Sequence, residues 1–248
     1  METKGSRWPI RYPRRRVIRG LLRGLLRVLF DTLTDLEVYG QEHVPENGPL
    51  LLTANHFSFV DPALVVRVTP WPIEVIGGFR TPNGPSWGAE VLKLWGYFPV
   101  HRGTGSRAAL RAVESVLAQG GVVGIAPEGG SWATVLRPAR PGAAFLAART
   151  GARILPVGLD GVQDIFPTLR RRRRPHVTVR FGAPFGPFQA DGRGRAARQR
   201  LDEIGHEIMR HIAELIPPER RGYYSDDPAV RAAARGTELY PWELEEEV

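Results

Sequence analysis

The sequence predicts an α/β domain, a largely parallel central sheet flanked by helices, with an N-terminal amphipathic helix that associates with a membrane. Three observations predict this. Short apolar runs such as Leu50-Leu51-Leu52, Val122-Val123 and Ile154-Leu155 have the length and composition of strands buried on both faces. Segments of helical length lie between them, and this alternation gives parallel strands the crossovers they need. The polar residues able to do chemistry fall just past the ends of the runs, where open α/β sheets bind ligands.

Composition narrows the possibilities. A chain of 248 residues holds one large domain with appendages. We divide it into a basic amphipathic membrane-associating segment (1–35), a main domain (36–216) and a peripheral, partly mobile tail (217–248). No cysteine is present, which excludes disulfides, thiolate zinc sites and a cysteine nucleophile. The six histidines (His43, His56, His101, His176, His206, His211) are scattered, and His206 and His211 have the wrong spacing for two ligands on one helix face. They are expected to be solvated, and neither a metal nor a cofactor is expected. The formal charge of +8, carried mostly by arginine, points to phosphate-bearing partners.

Residues 17–30 form the first helix, with Arg15, Arg19, Arg23 and Arg27 at four-residue spacing and leucines opposite. An arginine every turn rules out a spanning segment, which needs about 20 apolar residues. Such a helix can lie in the headgroup plane, leucines down, with Arg14, Arg15, Arg16, Arg19, Arg23 and Arg27 reaching anionic phosphates. It can also pack on its own domain. A short strand follows at 36–40, then the Leu50 strand, a helix over 62–68, a strand over 73–76 and a helix over 86–95. Trp87, Trp95, Tyr97 and Phe98 fit core by default, or an apolar groove. Helices over 106–119 and 142–150 and strands at 122–126, 154–158 and 177–181 continue the alternation. The run Arg170 to Arg174 is either solvated or a contact for anionic headgroups or a phosphorylated carrier. A last amphipathic helix covers 195–216.

The organising stretch is Asn55-His56-Phe57-Ser58-Phe59-Val60-Asp61-Pro62. Five helical steps rotate a side chain by about 140°, so His56 and Asp61 meet only if the chain turns between them. If they meet, the carboxylate holds one imidazole nitrogen as a donor and leaves the other to accept a proton. Residue type and spacing fit equally an ordinary loop histidine beside a helix-starting aspartate. Two further stretches should reach the same sheet edge. Gly96-Tyr97-Phe98-Pro99-Val100-His101-Arg102-Gly103 reads as a strand ending in an arginine suited to phosphate. Pro127-Glu128-Gly129-Gly130 reads as a turn exposing backbone N–H groups, or as a plain turn.

Four ordered blocks resemble the glycerolipid acyltransferases of the PlsC type, which include the 1-acylglycerol-3-phosphate acyltransferases. They are Asn-His-x-Ser-x-x-Asp (Asn55 to Asp61), Gly-x-Phe-Pro-Val-x-Arg (Gly96 to Arg102), Pro-Glu-Gly (Pro127 to Gly129) and Ile-Leu-Pro-Val (Ile154 to Val157). The resemblance covers roughly residues 36 to 190. It implies an O-acyltransferase taking a fatty acyl group from acyl-CoA or acyl-carrier protein to a hydroxyl of lysophosphatidic acid or a related lysophospholipid. It implies His56 as general base, Asp61 as the group that orients it, and Arg102, Glu128 and Gly129 as the acceptor's phosphate site. Physically, a carboxylate such as Glu128 is expected to position a donor or the acceptor hydroxyl. The chain departs from the pattern after Pro-Glu-Gly. The family usually continues Thr-Arg where this chain has Gly130-Ser131, and Arg137 or Arg140 could stand in.

The expected setting is the cytoplasmic face of the cell membrane, peripheral or monotopic, against an anionic surface. The alternative is a non-catalytic basic module binding anionic lipid or nucleic acid. It explains the charge but not the order of the blocks, and nucleic acid lacks a stacking or helix-turn-helix pattern here.

Overall fold

A computed structural model describes residues 10–78, 86–100, 107–190 and 194–237. The strands are β1 (Asp35–Tyr39), β2 (Leu50–Ala54), β3 (Glu74–Gly78), β4 (Phe98–Val100), β5 (Val122–Ile125), β6 (Arg153–Asp160) and β7 (His176–Phe181). The helices are α1 (Arg16–Leu33), α2 (Asp61–Val68), α3 (Ser86–Trp95), α4 (Arg107–Leu117), α5 (Pro141–Thr150), α6 (Ile165–Arg170), α7 (Arg195–Glu214) and α8 (Pro228–Ala232).

Every residue of β2 is buried, because its alternating side chains enter two cores. Leu51 packs with Val113, Val116, Ala144 and Ile208, from α4, α5 and α7. Leu50 and Leu52 pack with Phe30, Leu64 and Val65, from α1 and α2. The strand order is β1-β7-β6-β2-β5-β3-β4. The five strands from β6 to β4 are mutually parallel, while β7 runs antiparallel to β6 and β1 runs parallel to β7. The α/β class and the mostly parallel sheet flanked by helices are as expected, and β2 lies between β6 and β5 with its carboxyl end at the centre of one sheet edge.

The first helix is amphipathic, but its arginine stripe is turned the other way. Arg19 is buried and forms a bidentate pair with Glu74, both contacts at 2.7 Å. Arg14 joins the same carboxylate at 2.5 Å. These arginines also close the end of α3. Arg15 donates to the carbonyls of Lys93 and Leu94, Arg19 to those of Trp95 and Gly96, and Arg14 to Gly96. A helix end leaves carbonyls without partners and carries partial negative charge, so guanidinium groups suit it on both counts. Arg23 donates to the carbonyls of Pro70 and Trp71. The expectation that Arg14, Arg15 and Arg19 reach lipid phosphates is therefore corrected: Glu74 and the carbonyls at the end of α3 hold them, whereas Arg23 gives the two uncharged carbonyls of Pro70 and Trp71 only part of the five N–H donors a guanidinium carries. What faces outward is Val17, Leu21, Leu25 and Val28, with Ile18, Leu29 and Leu33 beside them. No described helix is long and apolar enough to cross a membrane.

Trp95 and Phe98 belong to the core, and Trp95 donates its indole N–H to Ile73. His206 and His211 are not simply solvated. His206 Nδ1 lies 2.9 Å from the Tyr224 hydroxyl, and His211 stacks on Phe185 at 4.0 Å. Of the tail read from sequence as 217–248, the described part bonds to the loop after β5. Leu136 and the segment exchange backbone bonds at Arg220 and Tyr223, and Trp132 donates to the Thr237 carbonyl. Main-chain pairing of this kind leaves no trace in composition. Arg170 to Arg173 are exposed, while Arg174 reaches the carbonyls of Asp31 and Thr34 at the end of α1.

Candidate active site

The site begins where β2 stops. Asn55 is buried, and its side chain copies one step of strand pairing with β6: its amide donates to the Leu159 carbonyl at 2.8 Å, and its oxygen accepts the Leu159 N–H at 2.7 Å. Both bonds fix how the chain leaves the sheet. His56 follows immediately, so its main chain starts from a held position.

The turn that the His56 and Asp61 spacing demanded is present, and Asp61 builds it. One carboxylate oxygen, Oδ2, accepts the N–H groups of Phe57 at 2.8 Å and Ser58 at 2.7 Å, and lies 2.9 Å from His56 Nδ1. Three donors converge on one buried oxygen. Asp61 opens α2 with Pro62 behind it, yet its side chain reaches back into the turn instead of capping the helix ahead. A carboxylate can only accept, so Nδ1 carries the proton and Nε2 keeps a lone pair. Nε2 has no partner among the described residues, and the imidazole is partly open, its side chain 16% exposed.

Glu128 enters from the carboxyl end of β5, next to β2. It is fully buried, and both of its oxygens are taken: Oε1 by the His56 N–H at 2.8 Å, Oε2 by the Arg137 N–H at 3.2 Å. The Arg137 guanidinium lies 3.5 Å from Oε2 and 3.8 Å from the centre of the Trp132 ring. Burial pushes the Glu128 carboxyl up to about 7, against the pull of Arg137 and of the two N–H groups. Gly129 sits at φ 77° and donates its N–H to the Ala126 carbonyl, closing the Pro127-Glu128 turn. The indole of Trp132 lies so close over Gly130 that an added Cβ would come within 1.8 Å of it. Only glycine fits there.

The structure therefore brings His56, Asp61, Glu128 and Gly129 to one sheet edge, while Arg102 lies outside the described residues. Two expectations, for Glu128 and for Arg137, meet a different arrangement. Glu128 is too enclosed to touch a substrate phosphate, and its contact is with the backbone of His56. The N–H groups of His56, Phe57 and Ser58 all donate to carboxylates. Arg137, a candidate for the missing arginine of the third block, is an internal partner of Glu128. Arg140 donates its N–H to the Pro127 carbonyl ahead of α5. No group of three potential metal ligands occurs among the described residues.

A family model described as Acyltransferase matches residues 35–160, from β1 through the end of β6. The chain belongs to the Acyltransferase family. The matched span holds Asn55, His56, Asp61 and Glu128, so the acyltransferase match and the buried constellation coincide. The crystal structure of PlsC from Thermotoga maritima, a 1-acyl-sn-glycerophosphate (LPA) acyltransferase, has a similar fold. Its TM-score is 0.50 at 19% identity, covering 77% of this chain and 78% of that one. Among the residues that hold this constellation together, Asn55 stood in the sequence only as the first letter of a block, and the signal for its role is a buried-strand run that ends in an amide.

Proposed function

We propose that the protein moves a fatty acyl group from an acyl thioester, acyl-CoA or acyl-carrier protein, to a hydroxyl of lysophosphatidic acid or a related phosphorylated glycerolipid. The observation that carries this reading is the 2.9 Å pair of His56 Nδ1 and Asp61 Oδ2, which leaves Nε2 without a partner among the described residues on a partly open imidazole.

In this mechanism the acceptor hydroxyl gives its proton to His56 Nε2 as its oxygen attacks the thioester carbonyl carbon. Asp61 stabilises the imidazolium that forms. When the C–S bond breaks, the imidazolium returns the proton to the departing thiolate. No enzyme nucleophile is required, because the substrate supplies the hydroxyl. Glu128 acts as a positioning residue through the His56 N–H. Arg102, which follows β4 by two residues in the sequence, is assigned to the acceptor's phosphate, while Gly129 keeps the Pro127-Glu128 turn closed.

The outward apolar face of α1 supports a peripheral seat on a membrane, which we place at the cytoplasmic face, where thioester donors are made. Val17 is 76% and Leu21 72% exposed, an arrangement costly in water and useful in lipid. A basic binding module without activity would have no use for a buried carboxylate that aims an imidazole. The test is incubation of the protein with acyl-CoA and a panel of lysolipids, following thiol release and identifying the product by mass. Transfer to phosphate-bearing acceptors supports the proposal; no transfer to any acceptor refutes it.

A further inference from the structure

A cleft of 330 Å³ lies between α1 and the segment before β3, lined by Arg16, Arg19, Gly20, Arg23, Pro72 and Trp95 among others. It is remote in sequence and element from the His56 edge, and the mechanism does not use it. We propose that this cleft holds the phosphate group of an anionic phospholipid headgroup, clamped between Arg16 and Arg23 while the apolar face of α1 rests in the bilayer.

Three features of the cleft point to an anion. First, its charge is unbalanced. Arg14 and Arg19 share the single carboxylate of Glu74, and Arg15 and Arg23 spend donors on main-chain carbonyls, which carry no net charge. Arg16 donates to none of the described residues, and it is exposed at the cleft. Second, Gly20 lies one turn from Arg16 and about one from Arg23 on the same side of α1, and an ideal Cβ there meets nothing within 4 Å. Arginines at positions i and i+7 with a glycine between them leave room for a group to enter and be gripped from both sides. Third, burial lowers the pKa of Arg23, and its neighbour Arg27 adds to the effect. A phosphate in the cleft would relieve that crowding.

The position of the cleft favours a lipid over a free metabolite. Val17 and Leu21, each next in sequence to a cleft residue, are among the most exposed apolar side chains. A headgroup in the cleft would leave its acyl chains beside those side chains.

This inference rests on the membrane reading above, and the test separates the two. Flotation is measured with phosphatidylcholine vesicles, with and without phosphatidylglycerol, for the wild type, Arg16→Ala and Gly20→Leu. The second substitution fills the cleft with an isobutyl group without removing a charge, and thermal melting checks that both variants fold. The wild type is expected to prefer the anionic vesicles, and each variant to lose about fivefold or more of that preference while still binding phosphatidylcholine. Monomeric dihexanoyl phosphatidylglycerol should displace the wild type from anionic vesicles where inorganic phosphate at the same concentration does not. A preference unchanged in both variants overturns the proposal, as does one lost only when Arg170 to Arg173 are replaced by alanine. Equal competition by inorganic phosphate overturns the lipid assignment. If the wild type binds no vesicle at all, the membrane reading itself fails.

Discussion

Asp61 Oδ2 lies 2.9 Å from His56 Nδ1 and accepts the N–H groups of Phe57 and Ser58 as well. One atom thus shapes the turn and sets the imidazole tautomer. Asp61→Asn keeps an oxygen able to accept these bonds but loses the charge that stabilises an imidazolium. Acyl transfer should fall by about 10² to 10⁴, while urea unfolding shifts little. Asp61→Ala removes the acceptor from three donors and should destabilise the fold by roughly 2–4 kcal/mol as well. If Asp61→Asn and Asp61→Ala lose the same activity and the same stability, the two roles of the residue are not separable.

Glu128 gives the fold a distinctive pH response. Its carboxyl is held up at about 7 from an ordinary value of 4.5, so the folded state binds a proton more tightly than the unfolded chain. The stabilising contribution is full below about 4.5 and is lost as pH rises through about 7, a difference of roughly 3 kcal/mol. Comparing urea unfolding of the wild type and Glu128→Gln between these limits isolates it. The wild type should lose stability relative to the variant as pH rises. A flat difference would show that burial does not hold the carboxyl where we place it.

Asn55→Ala leaves the N–H and carbonyl of Leu159 buried without their partners. We expect a loss of about 2–4 kcal/mol, together with weakened activity, because the chain no longer leaves β2 along a fixed path. Calorimetry and turnover should move together; stability unchanged from the wild type would remove Asn55 from the account.

The two faces of α1 should respond in opposite ways. Arg19→Ala leaves Glu74 buried with Arg14 as its remaining charged partner and should cost about 3–5 kcal/mol. Leu21→Asp with Leu25→Asp alters side chains already in solvent, so melting should hold while vesicle binding is lost. Retained flotation of the double variant would mean that α1 does not seat the protein on lipid.

Much of this was legible in the sequence. Strand runs, helix periods and the need for a turn between His56 and Asp61 follow from local pattern, and the sheet edge follows from strand direction. The orientation of α1 does not. Amphipathicity identifies two faces but not which one the domain covers. That was decided by Glu74 and the open end of α3, between 55 and 82 positions along the chain from the arginines they hold. The role of Glu128 was hidden for a similar reason. Its hydrogen bonds come from two backbone N–H groups, and a main-chain donor has no letter in the sequence.

The most direct test of the central claim is the rate of acyl transfer by His56→Ala, measured as thiol release from acyl-CoA with whichever lysolipid the wild type accepts. The variant removes the proton acceptor and leaves Asp61 bonded to Phe57 and Ser58, so it should fold. We predict loss of transfer by at least about a hundredfold with the melting transition retained. Turnover at the wild-type rate would contradict the assignment of His56 as the base.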